Sequence, residues 1–455
     1  MYQADTIAAV ATPPGEGGVA VVRLSGPDAL SIGGKILGCK DDGWESHRLY
    51  YGRVRDPVRG SVVDEVMFVF LQEPKSYTGE DTVEIHCHGG PYVVRQVLGL
   101  VLAYGARHAE PGEFTKRAFL NGRLDLAQAE AVLDLIRSRT DKAANVALGQ
   151  MEGGLSEEVQ HLREQLVDTL VQVEAAIDFP EEEIELLQRA ELARKVAGVV
   201  DRISALIGSY EWGRLIREGV RVCIVGRPNV GKSSLLNALL GVDRAIVTDT
   251  PGTTRDFIEE TVNLSGLPVV LWDTAGLREN TEGVEQIGID VTLQRLAESQ
   301  GCLLVLDGSS PLTGEDRKVM ERLRQSQGLV VINKIDLRQR IDRAAVSGLL
   351  PRLRQMEVSA LSNEGLDALR TALRDCFLDS TEEPEIVVTN VRHKAALDRA
   401  RTSLVEVRRA MDEGLPPDIV AVDLQEARDS LAEIIGTVTN DDILDRIFSQ
   451  FCIGK

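Results

Sequence analysis

The sequence has no long apolar run, and its beginning lacks the pattern of a secretion signal. No hydrophobic stretch approaches the roughly 20 residues that span a bilayer. The first residues also lack a basic segment followed by an apolar one. We therefore expect a protein without membrane contact, located in the cytoplasm.

Cysteine is scarce and shows no paired spacing. A disulfide framework or a structural zinc site needs cysteines at short, regular intervals, so neither is indicated. Reduced thiols in a reducing compartment fit the pattern. The six cysteines are Cys39, Cys87, Cys223, Cys302, Cys376 and Cys452.

Basic residues are outnumbered by acidic ones. The chain has 51 Lys and Arg against 71 Asp and Glu, a net charge of −20. Affinity for nucleic acid rests largely on cations that neutralise phosphates, so strong phosphate-backbone binding by this chain alone is not expected. At 455 residues the chain is long enough for several domains.

A short His-Cys-His segment hints at a metal site with histidine ligands. His86 and His88 would share one face of a strand with Glu84, which is a possible ligand set. No second pair of ligands is visible in the sequence. A structural strand is therefore the favoured interpretation.

The second half carries a phosphate-binding loop. Residues 226–233 read Gly-Arg-Pro-Asn-Val-Gly-Lys-Ser, after the apolar run 220–225 and before the apolar helix pattern 235–240. Glycines in a strand-loop-helix setting let backbone N–H groups converge on phosphates at the positive end of the helix. Lys232 would meet the β and γ phosphates, and Ser233 would bind Mg²⁺.

Two further motifs follow in the order of a guanine nucleotide site. Asp-Thr-Ala-Gly at 273–276 ends an apolar run, where Asp273 can hold the Mg²⁺ shell and the N–H of Gly276 can approach the γ-phosphate. Asn-Lys-Ile-Asp at 333–336 supplies Asp336, whose carboxylate accepts from both N1 and N2 of guanine and so selects GTP over ATP. Ser-Ala-Leu at 359–361 would contact the guanine oxygen through its backbone.

Residues 248–256 have the polar, turn-forming composition of a switch loop. The predicted GTP contacts are Asn229, Val230, Gly231, Lys232, Ser233, Ser234, Thr248, Asp249, Thr250, Pro251, Gly252, Thr253, Thr254, Asp273, Thr274, Ala275, Gly276, Asn333, Lys334, Asp336, Ser359 and Ala360.

The residue after the Asp-Thr-Ala-Gly motif is Leu277, where Ras-like GTPases have the glutamine that orients the attacking water. Leucine cannot do this. Asn229 has a side-chain oxygen that could hold a monovalent cation beside the phosphates, supplying positive charge there. A carboxylate could position the water. From the residues alone, three are equal candidates: Glu279, Glu282 and Glu285.

The hydrophobic patterns predict a multidomain chain. Residues 1–118 read as an α+β domain and 119–215 as long helices. Residues 216–380 read as a Ras-like α/β G domain with a P-loop, and 381–455 as further helices with a terminal tail. Helices on both sides of the G domain indicate that it is inserted into one helical domain.

Motifs along the whole chain resemble the MnmE (TrmE) family of tRNA modification GTPases. The similarity covers all 455 residues. Beside the nucleotide motifs, it rests on segments 5–7, 11–15, 79–81, 111–115, 124–131 and the terminal Phe-Cys-Ile-Gly-Lys at 451–455.

This resemblance implies ligands and roles for individual residues. It implies K⁺-dependent hydrolysis of GTP, with Glu285 orienting the water and with Asn229 and Lys232 also taking part in catalysis. It also implies that Cys452 is the family's characteristic C-terminal cysteine. The implied K⁺ ligands are Asn229, Thr248, Thr250 and Thr253, and the implied Mg²⁺ ligands are Ser233 and Thr254. The implied reduced-folate contacts are Arg23, Glu80, Arg123 and Lys455; Arg123 stands where a lysine can also occur.

The resemblance also implies partners. It implies a homodimer formed through the N-terminal folate-binding domain, and a complex with the FAD-binding protein MnmG (GidA). The complex would add an aminomethyl or carboxymethylaminomethyl group at C5 of the wobble uridine of tRNA, with a reduced folate such as 5,10-methylene- or 5-formyl-tetrahydrofolate as one-carbon donor.

Two other functions compete with this one. A ribosome-assembly GTPase of the Era or Der type shares the P-loop asparagine and the apolar residue after the Asp-x-x-Gly motif. Such a protein should carry a basic RNA-binding module or a second G domain, and neither is visible. A folate-dependent enzyme with a purely regulatory G domain cannot be separated from the first function by sequence.

Overall fold

The computed structural model describes residues 5–38, 44–178, 186–243, 259–273, 296, 298–378 and 383–455. The chain divides into two compact units. The first joins Met1–Leu133, Gln150–Asp168 and Arg428–Lys455. The second joins Asp134–Gly149 and Thr169–Ala427.

The first unit begins with an α+β domain. Its strands are β1 (Ile7–Val10), β2 (Gly17–Ser25), β3 (Leu49–Arg55), β4 (Val62–Leu71), β5 (Thr82–Gly89) and β6 (Arg107–His108). They form one sheet in the order β3-β4-β5-β2-β1-β6, antiparallel except for the β1–β6 pair. Its helices are α1 (Ala29–Leu37), α2 (Pro91–Ala103) and α3 (Glu113–Leu120).

Side chains that point alternately to the two faces of the sheet build the core of this domain. In β2, the side chains of Ala20, Val22 and Leu24 are buried and pack with α1 and α2, while the intervening Val21 and Arg23 are only partly buried on the other face. The face that carries Arg23 is therefore free of the main core and can build a site.

Long helices follow, as the periodicity predicts. They are α4 (Leu126–Arg137), α5 (Asp141–Met151), α6 (Gly154–Asp178) and α7 (Leu186–Glu218). In the sequence, apolar residues recur at spacings of three and four from Leu155 to Ile177, which predicts one buried stripe on α6. This prediction is confirmed at six positions, which are all buried: Leu155, Val159, Leu162, Leu166, Leu170 and Val173. The same prediction is wrong for Ile177, which is 40% exposed one residue before the helix ends.

The second unit contains a P-loop α/β domain. Its elements are β7 (Val220–Val225), α8 (Lys232–Asp243), β8 (Glu259–Leu264), β9 (Leu267–Asp273), β10 (Gly301–Asp307), α9 (Gly314–Arg322), β11 (Gly328–Asn333), α10 (Arg343–Leu349), β12 (Arg354–Glu357) and α11 (Leu366–Asp375). The sheet order is β12-β11-β10-β7-β9-β8, and only β8 runs antiparallel to its neighbour. Its strands are buried on both faces by two apolar clusters, which is why they read as continuous apolar runs.

Helices resume after this domain as α12 (Val391–Asp412), α13 (Pro417–Ile435) and α14 (Asp441–Phe448). Within the second unit, α12 packs against α7, and the hydroxyl of Ser209 accepts a hydrogen bond from the N–H of Val388 at 2.9 Å. The predicted fold class is confirmed: an α+β domain, a helical domain, and a P-loop domain inserted between its helices. The domain limits at 118, 215 and 380 stay predictions.

The C-terminal tail packs on the N-terminal domain, within the first unit. Pro111 and Ile453 form an antiparallel bridge, and Gly112 donates to the carbonyl of Cys452 at 3.4 Å. Gly454 has φ 97°, and a Cβ there would lie 2.3 Å from the carbonyl oxygen of Val10. Only glycine permits this approach, which places the last residue beside the sheet. None of the described helices combines the length and apolar character needed to cross a bilayer.

Candidate functional site

The phosphate loop between β7 and α8 has the backbone that its sequence predicts. Gly226 has φ 151° and Gly231 has φ 96°, conformations that side chains rarely adopt. A Cβ on Gly226 would lie 2.4 Å from the carbonyl oxygen of Val305, and one on Gly231 would lie 2.3 Å from Nδ2 of Asn333. Both glycines are therefore required by close neighbours as well as by conformation.

Lys232 begins α8 and folds back over the loop. Its Nζ donates to the carbonyl oxygens of Gly226 and Arg227, each at 3.0 Å, and the residue is 8% exposed. The ammonium group is thus held at the N-terminus of the helix, beside the helical N–H groups of Ser233 and Ser234. Cationic and N–H donors gathered at one helix end suit a polyphosphate.

Asn333, the last residue of β11, connects the phosphate loop to the base-recognition loops. Its Nδ2 donates to the carbonyl of Val230 at 3.0 Å, and its Oδ1 accepts from the N–H of Ala360 at 3.0 Å. The side chain is 2% exposed, so both bonds form away from water. One amide therefore fixes the separation between the phosphate loop and the Ser-Ala-Leu loop.

Lys334 forms a second link between the motifs. Its Nζ donates to the carbonyl of Asn229 at 2.8 Å and to the carboxylate of Asp307 at 2.7 Å. Burial opposes the ionisation of Asp307, but hydrogen bonds from Lys334 and Ser309 outweigh it and lower the pKa of Asp307 below its usual value. The pair stays charged and holds the loop at Asn229.

Asp336 is oriented for a base. Its Oδ1 accepts from the hydroxyl of Ser359 at 2.6 Å, and the same hydroxyl oxygen accepts from the N–H of Ser362 at 3.1 Å. Ser359 is fully buried, so its position is set by the core. A carboxylate held in this way presents acceptors to the two adjacent N–H donors of guanine.

Two positioning residues were not predicted from the sequence. Asp307 closes the apolar strand β10 just as Asp273 closes β9, so a signal was present. Nε2 of Gln339 donates to the carbonyls of Lys334 and Leu337 at 2.9 and 3.0 Å. Gln339 gave no signal in the sequence, because its role depends on how the loop folds.

Part of the predicted site lies outside the described residues. Asp273 is described only as the end of β9. The sequence predictions that cannot be placed are Thr248, Asp249, Thr250, Pro251, Gly252, Thr253, Thr254, Thr274, Ala275, Gly276, Leu277, Glu279, Glu282 and Glu285.

A second polar site lies on the open face of the N-terminal sheet. Arg23 on β2 pairs with Glu84 on β5 at 2.8 Å, and the two residues are direct cross-strand partners. The guanidinium carbon of Arg23 lies 5.6 Å from the ring centre of Tyr77 and 5.7 Å from that of Phe114. The aromatic rings and Glu84 hold the guanidinium in one orientation.

The chain end reaches this group. Lys455 is half-buried, and burial, followed by the nearby positive charge of Arg23, lowers the pKa of its ammonium group below its usual value. The carboxylate of Glu84 acts against this shift. Two cations that repel each other in a partly buried place form a site where a bound anion would be favoured.

Glu80 and Arg123 lie in the same domain with different partners. Burial raises the pKa of Glu80, and the nearby Arg117 acts against that shift. Glu80 accepts from the hydroxyl of Ser25 at 2.7 Å, at the end of β2. Arg123 donates through Nε to the carbonyl of Ser76 at 3.1 Å, next to Tyr77.

The two histidines of the His-Cys-His segment have different carboxylate neighbours. His88 pairs with Asp64 at 2.7 Å, while His86 lies 3.6 Å from Glu84. No group of three or more potential ligands comes together among the described residues. The favoured strand interpretation is confirmed, since all three residues lie on β5.

These observations define the class of the protein. A mostly parallel sheet carries a phosphate loop at a helix N-terminus, and a buried asparagine ties that loop to the Ser-Ala-Leu loop, whose Ser359 bonds the carboxylate of Asp336. The fold and the site are those of a P-loop GTPase.

Comparison with known proteins gives the family. The family profile "GTP-binding protein TrmE N-terminus" matches residues 6–123, and "MnmE helical domain" matches residues 126–452. The tRNA modification GTPase MnmE of Enterococcus faecalis is 48% identical over 99% of this chain and 98% of its own. That of Natranaerobius thermophilus is 44% identical over 99% of both.

The chain therefore belongs to the MnmE family of tRNA modification GTPases, and it is a GTP hydrolase. Full-length similarity to this family decides against the Era- and Der-type alternative. Among solved structures, the G domain of the T. maritima FeoB iron transporter is 25% identical and matches 34% of this chain and 98% of its own, with a TM-score of 0.28.

Asn333→Ala tests the connection between the loops. The substitution leaves the carbonyl of Val230 and the N–H of Ala360 without their buried partner, so we expect the G domain to lose about 1–3 kcal/mol of stability. GTP and GDP should both bind at least about 10-fold more weakly, because phosphate and base contacts lose their common spacing. Fluorescent-nucleotide titration and thermal unfolding measure both effects.

Gln325→Ala is the control, since it removes an exposed side-chain amide from the same domain. It should change neither quantity. Wild-type nucleotide affinity in Asn333→Ala would show that the loops hold their spacing without this side chain.

Proposed function

We propose that this protein is a K⁺-dependent GTPase that acts with an FAD-binding partner of the MnmG type in modifying C5 of the tRNA wobble uridine. A reduced folate bound to the N-terminal domain would supply the one-carbon unit. The observation that carries the folate part is the position of the chain end, which brings Lys455 to Arg23. The support for the GTPase part is the guanine site and the family.

The P-loop asparagine fits the proposed cation. Asn229 has φ 63°, the left-handed conformation that asparagine tolerates better than most residues, and its carbonyl is held by Lys334. The backbone of Asn229 is therefore held in place by a contact that does not involve its side-chain amide. An amide oxygen is a suitable donor for a monovalent cation. Such a cation would place positive charge beside the phosphates as GTP is hydrolysed.

The backbone carbonyls of Thr248, Thr250 and Thr253 would complete the K⁺ shell. Ser233 and Thr254 would hold Mg²⁺, and Glu285 would orient the water in place of the glutamine that Leu277 replaces. Of these residues, the described structure includes Ser233, which lies in the first turn of α8 directly after the phosphate loop.

The N-terminal site fits the chemistry of a reduced folate. The glutamate tail of a folate carries carboxylates, which Arg23, Arg123 and Lys455 would attract. The pterin of a reduced folate carries N–H groups that would donate to a carboxylate such as Glu80, and the flat pyrimidinone half of the pterin would pack against an aromatic ring such as that of Tyr77. These residues would bind and orient the folate and hold it away from water.

The partners follow from charge as well as from the family. With a net charge of −20, this chain gains little attraction to tRNA from its overall field. A partner that supplies most of the tRNA contacts is therefore consistent with the composition. We propose that a homodimer of this chain joins the FAD-binding partner in a heterotetramer. Cys452 precedes the docked Ile453 and is exposed, so it is accessible to such a partner.

Asn229→Gly tests the cation site without disturbing the backbone. Glycine accepts the left-handed conformation at φ 63° and keeps the carbonyl that Lys334 binds, but it removes the amide oxygen. We expect wild-type GTP turnover to be at least about 10-fold faster in K⁺ than in Na⁺, and the variant to be equally slow in both. GDP affinity should change little.

Equal wild-type rates in the two salts would remove the cation from the mechanism. A variant that is still stimulated by K⁺ would remove only Asn229 from its proposed role. Steady-state phosphate release in matched ionic strength separates the two results.

Arg23→Ala tests the folate site. The change removes the cation beside Lys455, so calorimetry with 5-formyl-tetrahydrofolate should show affinity reduced at least about 10-fold. Arg53→Ala is a matched control, because Arg53 pairs with Glu65 at 2.7 Å on the same sheet but in an exposed position. GTP turnover should be unchanged in both. Unaltered folate affinity in Arg23→Ala would count against the assignment.

A further inference from the structure

Arg227, the second residue of the phosphate loop, makes contacts that the nucleotide motif does not explain. Its Nη2 donates to the hydroxyl of Ser310, which lies just after β10. Its Nε lies 3.4 Å from Oδ2 of Asp316, in the first turn of α9. The side chain therefore links the phosphate loop to the segment that leads from β10 into α9.

The contact with Asp316 is an ion pair without a hydrogen bond. Nε of Arg227 is buried and has no hydrogen-bond partner among the described residues, and the same holds for Oδ1 of Asp316. The attraction between the two side chains therefore depends on their charges. Because Asp316 is 4% exposed, dissolved ions screen this attraction only weakly.

Asp316 is held in place by the start of its own helix. Its Oδ2 accepts from the N–H and the hydroxyl of Thr313 at 2.9 and 2.7 Å, and that hydroxyl accepts from the N–H of Asp316 at 3.2 Å. These reciprocal bonds form a capping box on α9. A buried carboxylate is costly unless a cation lies beside it, and Arg227 supplies that cation.

The backbone of Arg227 holds the lysine of the phosphate loop. The carbonyl oxygens of Gly226 and Arg227 both accept from Nζ of Lys232 at 3.0 Å. A shift of Arg227 would therefore move one of the two oxygens that hold this ammonium group. The lysine of a P-loop acts through its position against the β and γ phosphates, so such a shift would affect catalysis.

The two halves of the phosphate loop are held from different strands. Side chains at the end of β11 and just after it bind the carbonyls of Asn229 and Val230, in the second half. The first half, which contains both carbonyl partners of Lys232, is bound through Arg227 to the segment after β10. The side chain of Arg227 is therefore placed to set the position of the lysine.

We propose that Arg227 and Asp316 are positioning residues for GTP hydrolysis. Their ion pair fixes the carbonyl of Arg227 and thereby the ammonium group of Lys232 at the phosphates. Neither side chain touches the nucleotide in this role. The proposal rests on GTP hydrolysis by the P-loop domain and is independent of the cation and the folate proposed above.

A double-mutant cycle on the full chain tests this proposal. Arg227→Gln and Asp316→Asn each remove one charge, and the asparagine keeps an oxygen for the cap on α9. We expect each single variant to lower kcat about 10-fold, and the double variant to lower it about 10-fold as well, because both changes break the same link. Phosphate release at one fixed salt composition gives kcat, expressed per nucleotide site counted by GDP titration.

Thermal unfolding separates positioning from a merely structural role. Each single variant leaves one charge without its partner and should lower Tm, whereas the double variant should regain most of that loss. The kcat of the double variant should nevertheless stay low. A kcat that recovers together with Tm would reduce the pair to a structural role. A fall of about 100-fold in the double variant would show independent action. Either result would overturn the proposal, as would a wild-type kcat in Arg227→Gln.

Arg227→Lys tests the role of the charge directly. Lysine keeps a positive charge within reach of Asp316, so we expect kcat to return to within about 3-fold of the wild type. A kcat as low as that of Arg227→Gln would count against an ion pair as the link.

The double variant Arg343→Gln/Glu357→Gln is the matched control. It removes an exposed ion pair from the same domain, between α10 and β12. Exposed pairs contribute little to stability, so both kcat and Tm should match the wild type.

Discussion

The side-chain amide of Asn333 is the interaction on which the nucleotide site depends. It bonds to Val230 in the phosphate loop and to Ala360 in the loop that follows β12, so two loops from different strands share one anchor. Lys334 adds a charged bond to Asn229 and Asp307. Since neighbouring parallel strands end at the same edge of a sheet, short polar side chains there can assemble the whole site. Distances between phosphate and base contacts are then fixed before any ligand binds.

A buried arginine has the corresponding role in the N-terminal domain. Arg117 is 2% exposed and bonds to Asp5 at 2.6 Å and to Glu113 at 3.0 Å. It also lies 3.2 Å from Glu80, so the carboxylate proposed for folate binding is held by a residue of α3. A buried cation with several acidic partners keeps their geometry, because breaking one pair leaves an uncompensated charge. The chain end bridges to Pro111, just before α3, and Lys455 lies near Arg23.

The sequence predicted those features that depend on local pattern. Strands β7, β9 and β11 read as apolar runs because both faces are covered, and the phosphate loop was recognisable from its glycines. It did not predict the bonds of Asn333 to residues 103 and 27 positions away, which depend on how the strands are ordered in the sheet. Ile177 was predicted to lie in the core because it continues the spacing of apolar residues along α6. It is instead exposed at the end of that helix. His88 looked like a ligand beside His86, whereas Asp64 on the adjacent strand binds it instead.

The most direct test of the guanine site is the base preference of Asp336→Asn. The carboxylate is held by Ser359 and is able to accept from two N–H donors of a base, whereas an amide offers one acceptor and one donor. We predict that GTP affinity falls at least about 100-fold and that xanthosine triphosphate, which has an oxygen in place of the 2-amino group, binds better than GTP. Asp342→Asn, the same change at the N-cap of α10, should keep the wild-type preference. If Asp336→Asn still preferred GTP, the carboxylate would not be the group that reads the base.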